Sequence, residues 1–294
     1  MRITYNALVE TTLRNLNKTM ERLDRLQDQL TSGQRISAPS HDPVGVAAAM
    51  EFKCGLLEIE QFIKNADSAQ SWLEATDSAL DSVSAVLQRA RELAVQAANG
   101  TTSQIDKQAM AREVSALLDQ AVALGNSTYS GQYLFAGFKI DAAPFSLVSG
   151  PPTTVVNAGD DGQIARLVDR QATIVVNISG SSAFDQVFAA LIGLRDDLNN
   201  GDSSAVSARL ADLDSAIDSV VTIRSEVGAR INRVGNQKDR LENLRVNIIG
   251  LLSKTQDVDM AEAITQFAMQ QNVYKAALGA GAQAIQPSLL DYLR

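Results

Sequence analysis

The chain has 294 residues, of which 45% are hydrophobic, 20% charged and only 5% aromatic, enough for one large or two medium domains. Its 26 Lys and Arg against 34 Asp and Glu give a formal charge of −8, so the phosphate attraction behind most nucleic-acid binding has no basis in the net charge and no nucleic-acid partner is implied. One cysteine, Cys54, and one histidine, His41, exclude an intramolecular disulfide framework and any zinc site built from Cys and His.

The first residues, MRITYNALVETTLRNLNK, lack the continuous apolar stretch of a cleavable secretory signal. The longest apolar run, Val44 to Met50, falls far short of the roughly 20 residues that span a bilayer, so no membrane insertion is expected. Val9, Leu13, Leu16, Met20, Leu23, Gln27 and Leu30 then follow at steps of four and three, a heptad seam with one polar member. It predicts a helix that Gly33 stops and that Pro39 and Pro43 cannot continue, leaving SGQRISAPSHDP as a loop.

From Ala48 the steps resume through Phe52, Gly55, Ile59, Phe62, Ala66, Ala69, Leu73, Thr76, Leu80, Val83, Leu87, Ala90, Ala94 and Ala97. About 50 residues of unbroken helix would be ~75 Å long, which makes the molecule a rod; a kink near Gly55 or Asn65 is the alternative. After the Asn99-Gly100 turn signal, Met110, Val114, Leu117, Ala121, Leu124 and Thr128 mark a shorter helix able to fold back on its predecessor.

The texture changes between Phe138 and Ala183, where prolines, glycines and polar turn clusters separate β-branched stretches such as Thr153 to Val156 and Thr173 to Ile178. NAGDDG (Asn157 to Gly162) reads as a hairpin-type loop between them. This β-rich insert carries no heptad seam and is expected to be dispensable for polymer contact, so that replacing it with a short Gly/Ser link leaves the helical arms folded. A fourth helical region starts near Asp202 and puts Val206, Leu210, Leu213, Ile217, Val220, Arg224, Val227, Ile231, Val234, Lys238, Leu241, Arg245, Ile248 and Leu252 on one seam. Its three cations either set register against a partner or snorkel past it. The last helix repeats the scheme with Met260, Ile264, Phe267, Gln271, Tyr274, Leu278, Gly281 and Ile285, and Pro287 ends it.

The fold class that follows is mainly α: an elongated antiparallel helical rod of coiled-coil arms with a small β-rich insert domain at the far end. Residues 1–44 with 255–294 form one domain of terminal helices, 45–137 with 184–254 the central helical rod, and 138–183 the insert. Each chain end supplies one narrow seam, and two such helices bury too little to be secure alone, so their remaining contacts are expected in other subunits. The candidate subunit-interface residues are Leu13, Leu16, Met20, Leu23 and Leu30 at one end and Met260, Ile264, Phe267, Tyr274, Leu278 and Ile285 at the other.

No GxSxG, HExxH, phosphate-binding loop or dinucleotide fingerprint occurs. His41 reads as a solvated loop residue, Cys54 as a small packing residue beside the seam, and Asp160-Asp161-Gly162 as a turn lacking the ligand ladder of a calcium loop. No catalytic residue, metal or cofactor is assigned, and long seams without reactive groups point to a structural or interaction protein, not an enzyme.

Several blocks resemble the bacterial flagellin family: LTSGQRISAPSHDPVG (Leu30 to Gly45), QRARELAVQAANGT (Gln88 to Thr101), RSEVGARINRV (Arg224 to Val234), DVDMAEAI (Asp257 to Ile264) and the closing LLDYLR (Leu289 to Arg294). Within that family, YLFAGFKIDAAPF (Tyr133 to Phe145) and the PSHDP loop are similar to the hook-filament junction proteins, His41 departing from the usual acid. The resemblance implies export by the flagellar type III apparatus without cleavage and an extracellular place in the flagellum. As partners it implies further copies of the same chain in a ring, another hook-associated protein on the hook side, flagellin on the filament side, and a cytoplasmic export chaperone that recognises the C-terminal helix. A filament-forming flagellin and, more remotely, a soluble coiled-coil adaptor are the competing readings.

Overall fold

The computed structural model describes residues 5–36, 38–40, 42–99, 102–148, 150 and 153–285, with the side chains of residues 5, 6, 8 and 283–285 outside the description. His41, Pro287 and the closing LLDYLR therefore lie outside the described residues. In chain order the elements are α1 (Tyr5–Ser32), α2 (Pro43–Ala98), α3 (Gln104–Gly125), β1 (Thr128–Tyr129), β2 (Gln132–Tyr133), β3 (Phe145–Val148), β4 (Thr154–Asn157), β5 (Ala165–Asp169), β6 (Ala172–Val175), α4 (Gly180–Asn200), α5 (Ser203–Gln256) and α6 (Met260–Ile285). The chain is mainly helical, and its strands pair only as the antiparallel hairpins β1–β2, β3–β4 and β5–β6.

The helix starts are chemically explicit. Asp42 accepts the backbone N–H of Gly45 at 2.9 Å with Pro43 as the first helical residue, and Asp202 accepts those of Ser204 and Ala205 at 2.9 and 3.2 Å. Asp259 does the same for Ala261 and Glu262. In each case a carboxylate satisfies N–H groups that have no intrahelical partner, where the helix dipole also favours negative charge. Helix α2 continues through both Gly55 and Asn65.

Two compact units emerge, Met1–Glu58 with Leu244–Arg294 and Ile59–Asn243, the division falling inside α2 and α5. In the second unit α2 and α5 run antiparallel and are tied by Lys238 to Asp67 at 2.7 Å, Arg224 to Asp77 at 3.0 Å and Asp81 at 2.7 Å, and Arg91 to Asp214 at 2.5 Å. Arg224 and Lys238 thus sit on the seam to pair across it, and their hydrogen bonds to Asp77 and Asp67 raise both pKa values further. The α2 seam positions from Ile59 to Ala97 are all buried, including Thr76, whose hydroxyl donates to the Trp72 carbonyl at 2.9 Å and so brings no unpaired polar group into the core.

Helix α4 is an addition to the sequence reading, which starts its fourth helical region near Asp202. Ala183, Phe184, Val187, Leu191, Leu194 and Leu198 form its buried face, and it packs antiparallel to α3. Where the two meet at one end, the buried Lys107 ammonium donates to the Gly201 carbonyl at 2.7 Å and to the Ser203 hydroxyl at 2.6 Å. A cation is thereby placed at the negative end of α4.

The β-rich insert shares a core with the helices. Phe145 packs with Phe184 and Phe188 of α4 at ring separations of 5.2 and 5.1 Å, and Val168, Ile174 and Val176 belong to the same buried cluster as Leu73 and Val227. Asn65 donates to the Leu167 carbonyl at 2.8 Å and Arg230 to the Asn177 carbonyl at 3.1 Å. The strands are too short to cover their own apolar faces, so they bury them on α2, α4 and α5. NAGDDG likewise connects two hairpins instead of closing one: β3 pairs with β4 and β5 with β6. Asp160 holds this connection by accepting the N–H groups of Phe138 and Gly162 at 2.7 and 2.9 Å.

Candidate assembly surface

The first unit is built on a clamp between two turns that are distant in sequence. Gly33 ends α1 in the left-handed region (φ +69°), where only glycine carries no side-chain penalty, and its N–H still reaches the Gln29 carbonyl at 2.9 Å. The chain then runs beside the α5–α6 connection. The Arg35 N–H donates to the Gln256 carbonyl at 2.7 Å and the Val258 N–H to the Gly33 carbonyl at 3.0 Å, while the Arg35 guanidinium donates to the Thr255 carbonyl at 2.7 Å. Ile36, the next residue, is buried against Gly45 of α2. The sequence reading assigns no role to Arg35 or Asp42, because backbone pairing between residues more than 200 positions apart leaves no periodic trace.

The clamp sets α1 and α6 antiparallel, with Thr12 against Gly281 at one end and Gln29 near Glu262 and Gln266 at the other. A Cβ on Gly281 would lie 3.2 Å from the Thr12 methyl, so the missing side chain allows the close approach. The half-buried seam residues of α1 are Val9, Thr12, Leu16, Thr19, Leu23, Leu26 and Leu30, with Ala7 and Gln29 half-buried off that spacing, and the covered residues of α6 are Ala263, Phe267, Gln270, Tyr274, Ala277 and Gly281. Both sets step by three and four, as a two-helix seam requires.

This seam is only half the one expected. Of the eleven candidate interface residues, Leu16, Leu23, Leu30, Phe267 and Tyr274 are half-buried on the intramolecular seam, whereas Leu13, Met20, Met260, Ile264 and Leu278 remain exposed. The side chain of Ile285 lies outside the described residues. Thr12, Thr19 and Leu26 of α1 and Ala263, Gln270 and Ala277 of α6 take the alternate seam positions, which leaves Leu13, Met20, Ile264 and Leu278 toward one edge. The opposite edge holds Met269 and Val273, also exposed, with Met269 beside Arg22 and Arg25 along a groove of about 320 Å³.

Cys54 corrects an expectation: it is an exposed free thiol on α2 and not a packing residue, because the α2 seam turns through Gly55, which faces Ile248. Among the described residues no group of three or more metal-ligating side chains converges and no helix is long and apolar enough to cross a membrane.

The model of the bacterial flagellin N-terminal helical region matches residues 3–139, and that of the C-terminal helical region matches residues 210–293. The chain belongs to the flagellin family. It is a structural flagellar protein, not an enzyme. Among curated relatives of this flagellin-family chain, flagellar hook-associated protein 3 of Salmonella typhimurium is 24% identical over 94% of this chain and 95% of its own length. The flagellin of Bacillus subtilis is 29% identical over the whole of both chains. The fold is shared with flagellar hook-associated protein 3 of Legionella pneumophila (TM-score 0.64, 18% identity, 70% of this chain and 98% of that one). It is shared also with FlgL of Bacillus cereus (TM-score 0.61, 23% identity, 69% and 99%).

Proposed function

We propose that this chain is the extracellular subunit that joins hook to filament, and that it polymerises with copies of itself through α1 and α6. The observation that carries this reading is the uncovered apolar edge of that helix pair: Leu13, Met20, Ile264 and Leu278 are exposed on helices whose seam is already closed by other residues. Exposed apolar side chains gathered on one edge are worth burying, at about 25 cal/mol per Å², and a repeating assembly buries them in every copy. In this reading residues 1–44 with 255–294 are the inner assembly domain, 45–137 with 184–254 the central domain and 138–183 the outer one.

The junction role is favoured over a filament role by relatives named hook-associated protein 3 that match nearly end to end. A filament-forming flagellin is the second reading, supported by the full-length match to the Bacillus subtilis protein. The partners would be a hook-associated protein on the hook side, flagellin on the filament side and an export chaperone holding α6 before assembly. The near absence of charge in α6 gives such a chaperone a reason to cover it. Adding purified chain to filament seeds separates the readings. A junction subunit stops after limited addition, and indefinite elongation would show a flagellin instead.

A further inference from the structure

Away from its seam, α1 is sorted by charge. Arg14, Lys18, Arg22 and Arg25 follow at steps of four, four and three, which at about 100° per residue confines them to a stripe roughly 80° wide. Glu21, Asp24 and Asp28, joined by Glu10 eleven residues before the first of them, fill a neighbouring stripe of roughly 60°. All eight are exposed, and none takes part in an ion pair among the described residues. Elsewhere in the chain cations and carboxylates meet directly, as Arg224 meets Asp77 and Asp81.

The rows border opposite edges of the α1/α6 pair. Arg22 and Arg25 stand on the groove with Met269, and the helical order of positions places the acidic row next to Leu13 and Met20. One edge therefore combines positive charge with Met269 and Val273, and the other combines negative charge with Leu13 and Met20.

We propose that the basic edge of one copy docks on the acidic edge of a second copy of this chain, with the two α1 helices running in the same direction. The inference rests on the reading of the chain as a self-assembling subunit and adds which surfaces meet. Complementary rows fix register and exclude wrong partners. Copies set side by side in the same direction bring basic row to acidic row, whereas an antiparallel meeting of the outer α1 faces sets like charge on like. Because the two edges are different patches, the contact is heterologous: every copy keeps one edge free for the next, which is how rings and helical arrays grow.

The test mixes ¹⁵N-labelled and unlabelled full-length chain at high concentration and low salt, couples carboxylates to amines with a carbodiimide, and resolves products by gel and peptide mass spectrometry. The contact predicts a ladder extending beyond dimers, with mixed-isotope links from Lys18 to Glu21, Asp24 or Asp28. Reversing one row, as R14E/R22E/R25E or as E21K/D24K/D28K, should cut the ladder about tenfold, and combining both sets should restore it. An equimolar mixture of the two single-row variants should restore it as well. Circular dichroism of each variant confirms that the helices persist, as exposed substitutions allow. A ladder that survives single-row reversal, fails to return in the combined variant, stops at dimers or never forms in the wild-type chain overturns the proposal. Whether the chain joins hook to filament is read separately, from the attachment phenotype of a deletion strain.

Discussion

Replacing a leucine by aspartate at two places separates folding from assembly. Leu80 is fully buried in the second unit, and Leu278 keeps 44% of its surface exposed on the edge of α6. Burying a leucine stabilises by about 1.5 to 3 kcal/mol, and Leu80→Asp loses this and leaves a carboxylate without a partner in the core, for a total on the order of 5 kcal/mol. At roughly 2 to 4 °C per kcal/mol for a chain of this size, the main melting transition should fall by 10 °C or more. Leu278→Asp gives up only the covered part of its side chain, about 1 kcal/mol, so the transition should move by a few degrees at most. In the assembled state the same substitution forfeits the burial of the exposed part in every copy and places a charge in an apolar contact, and attachment of filaments should be lost. Thermal melting by circular dichroism and immunolabelling of hook tips on complemented cells measure the two effects, with export checked in the medium. Exported, folded Leu278→Asp protein that supports normal filaments, or a melting loss at Leu278 equal to that at Leu80, would refute the reasoning.

Four further outcomes follow from individual contacts. Phe145→Ala should destabilise the main transition by about 3 to 5 kcal/mol, as seen in chemical denaturation, because its ring belongs to the core shared with α4 and is not confined to the insert. Lys107→Met should cost roughly 1 to 3 kcal/mol, since the Gly201 carbonyl loses its charged donor at the α3–α4 junction. Gly281→Leu should force α1 off α6 at Thr12, and amide exchange should then quicken along α1 while α2 to α5 keep their protection. Asp160 has its pKa lowered by the N–H groups of Phe138 and Gly162. The stability it lends is complete above the ordinary carboxylate range and disappears as pH falls through its lowered folded value. Amide exchange at Phe138 and Gly162 should quicken in that acid window, and Asp160→Asn should remove the pH dependence.

The heptads made the helices legible, and every α2 seam position from Ile59 to Ala97 is buried, with Ile63, Trp72, Ala79, Ser84, Val86 and Leu93 buried beside the seam as well. Periodicity fails where one face serves two masters. In α1, Leu13 and Leu16 fit a single apolar stripe equally well, yet the intramolecular seam takes Thr12 and Leu16 and leaves Leu13 exposed. The α4 repeat of Phe184, Val187, Leu191, Leu194 and Leu198 has helical spacing and follows directly on the Ser- and Gly-rich stretch Ser179 to Ser182. The clamp at Arg35, the Asn126 amide that bridges both backbone groups of Phe145, and the insertion of β strands into the helical core are long-range pairings. No local spacing encodes them.

The central claim, that this chain joins hook to filament through its terminal helices, is tested most directly by deleting its gene and imaging the cells by electron microscopy. The account predicts hooks without filaments and flagellin released to the medium, a phenotype reversed by the wild-type chain and not by Leu278→Asp. Cells that keep full-length attached filaments after the deletion would contradict it.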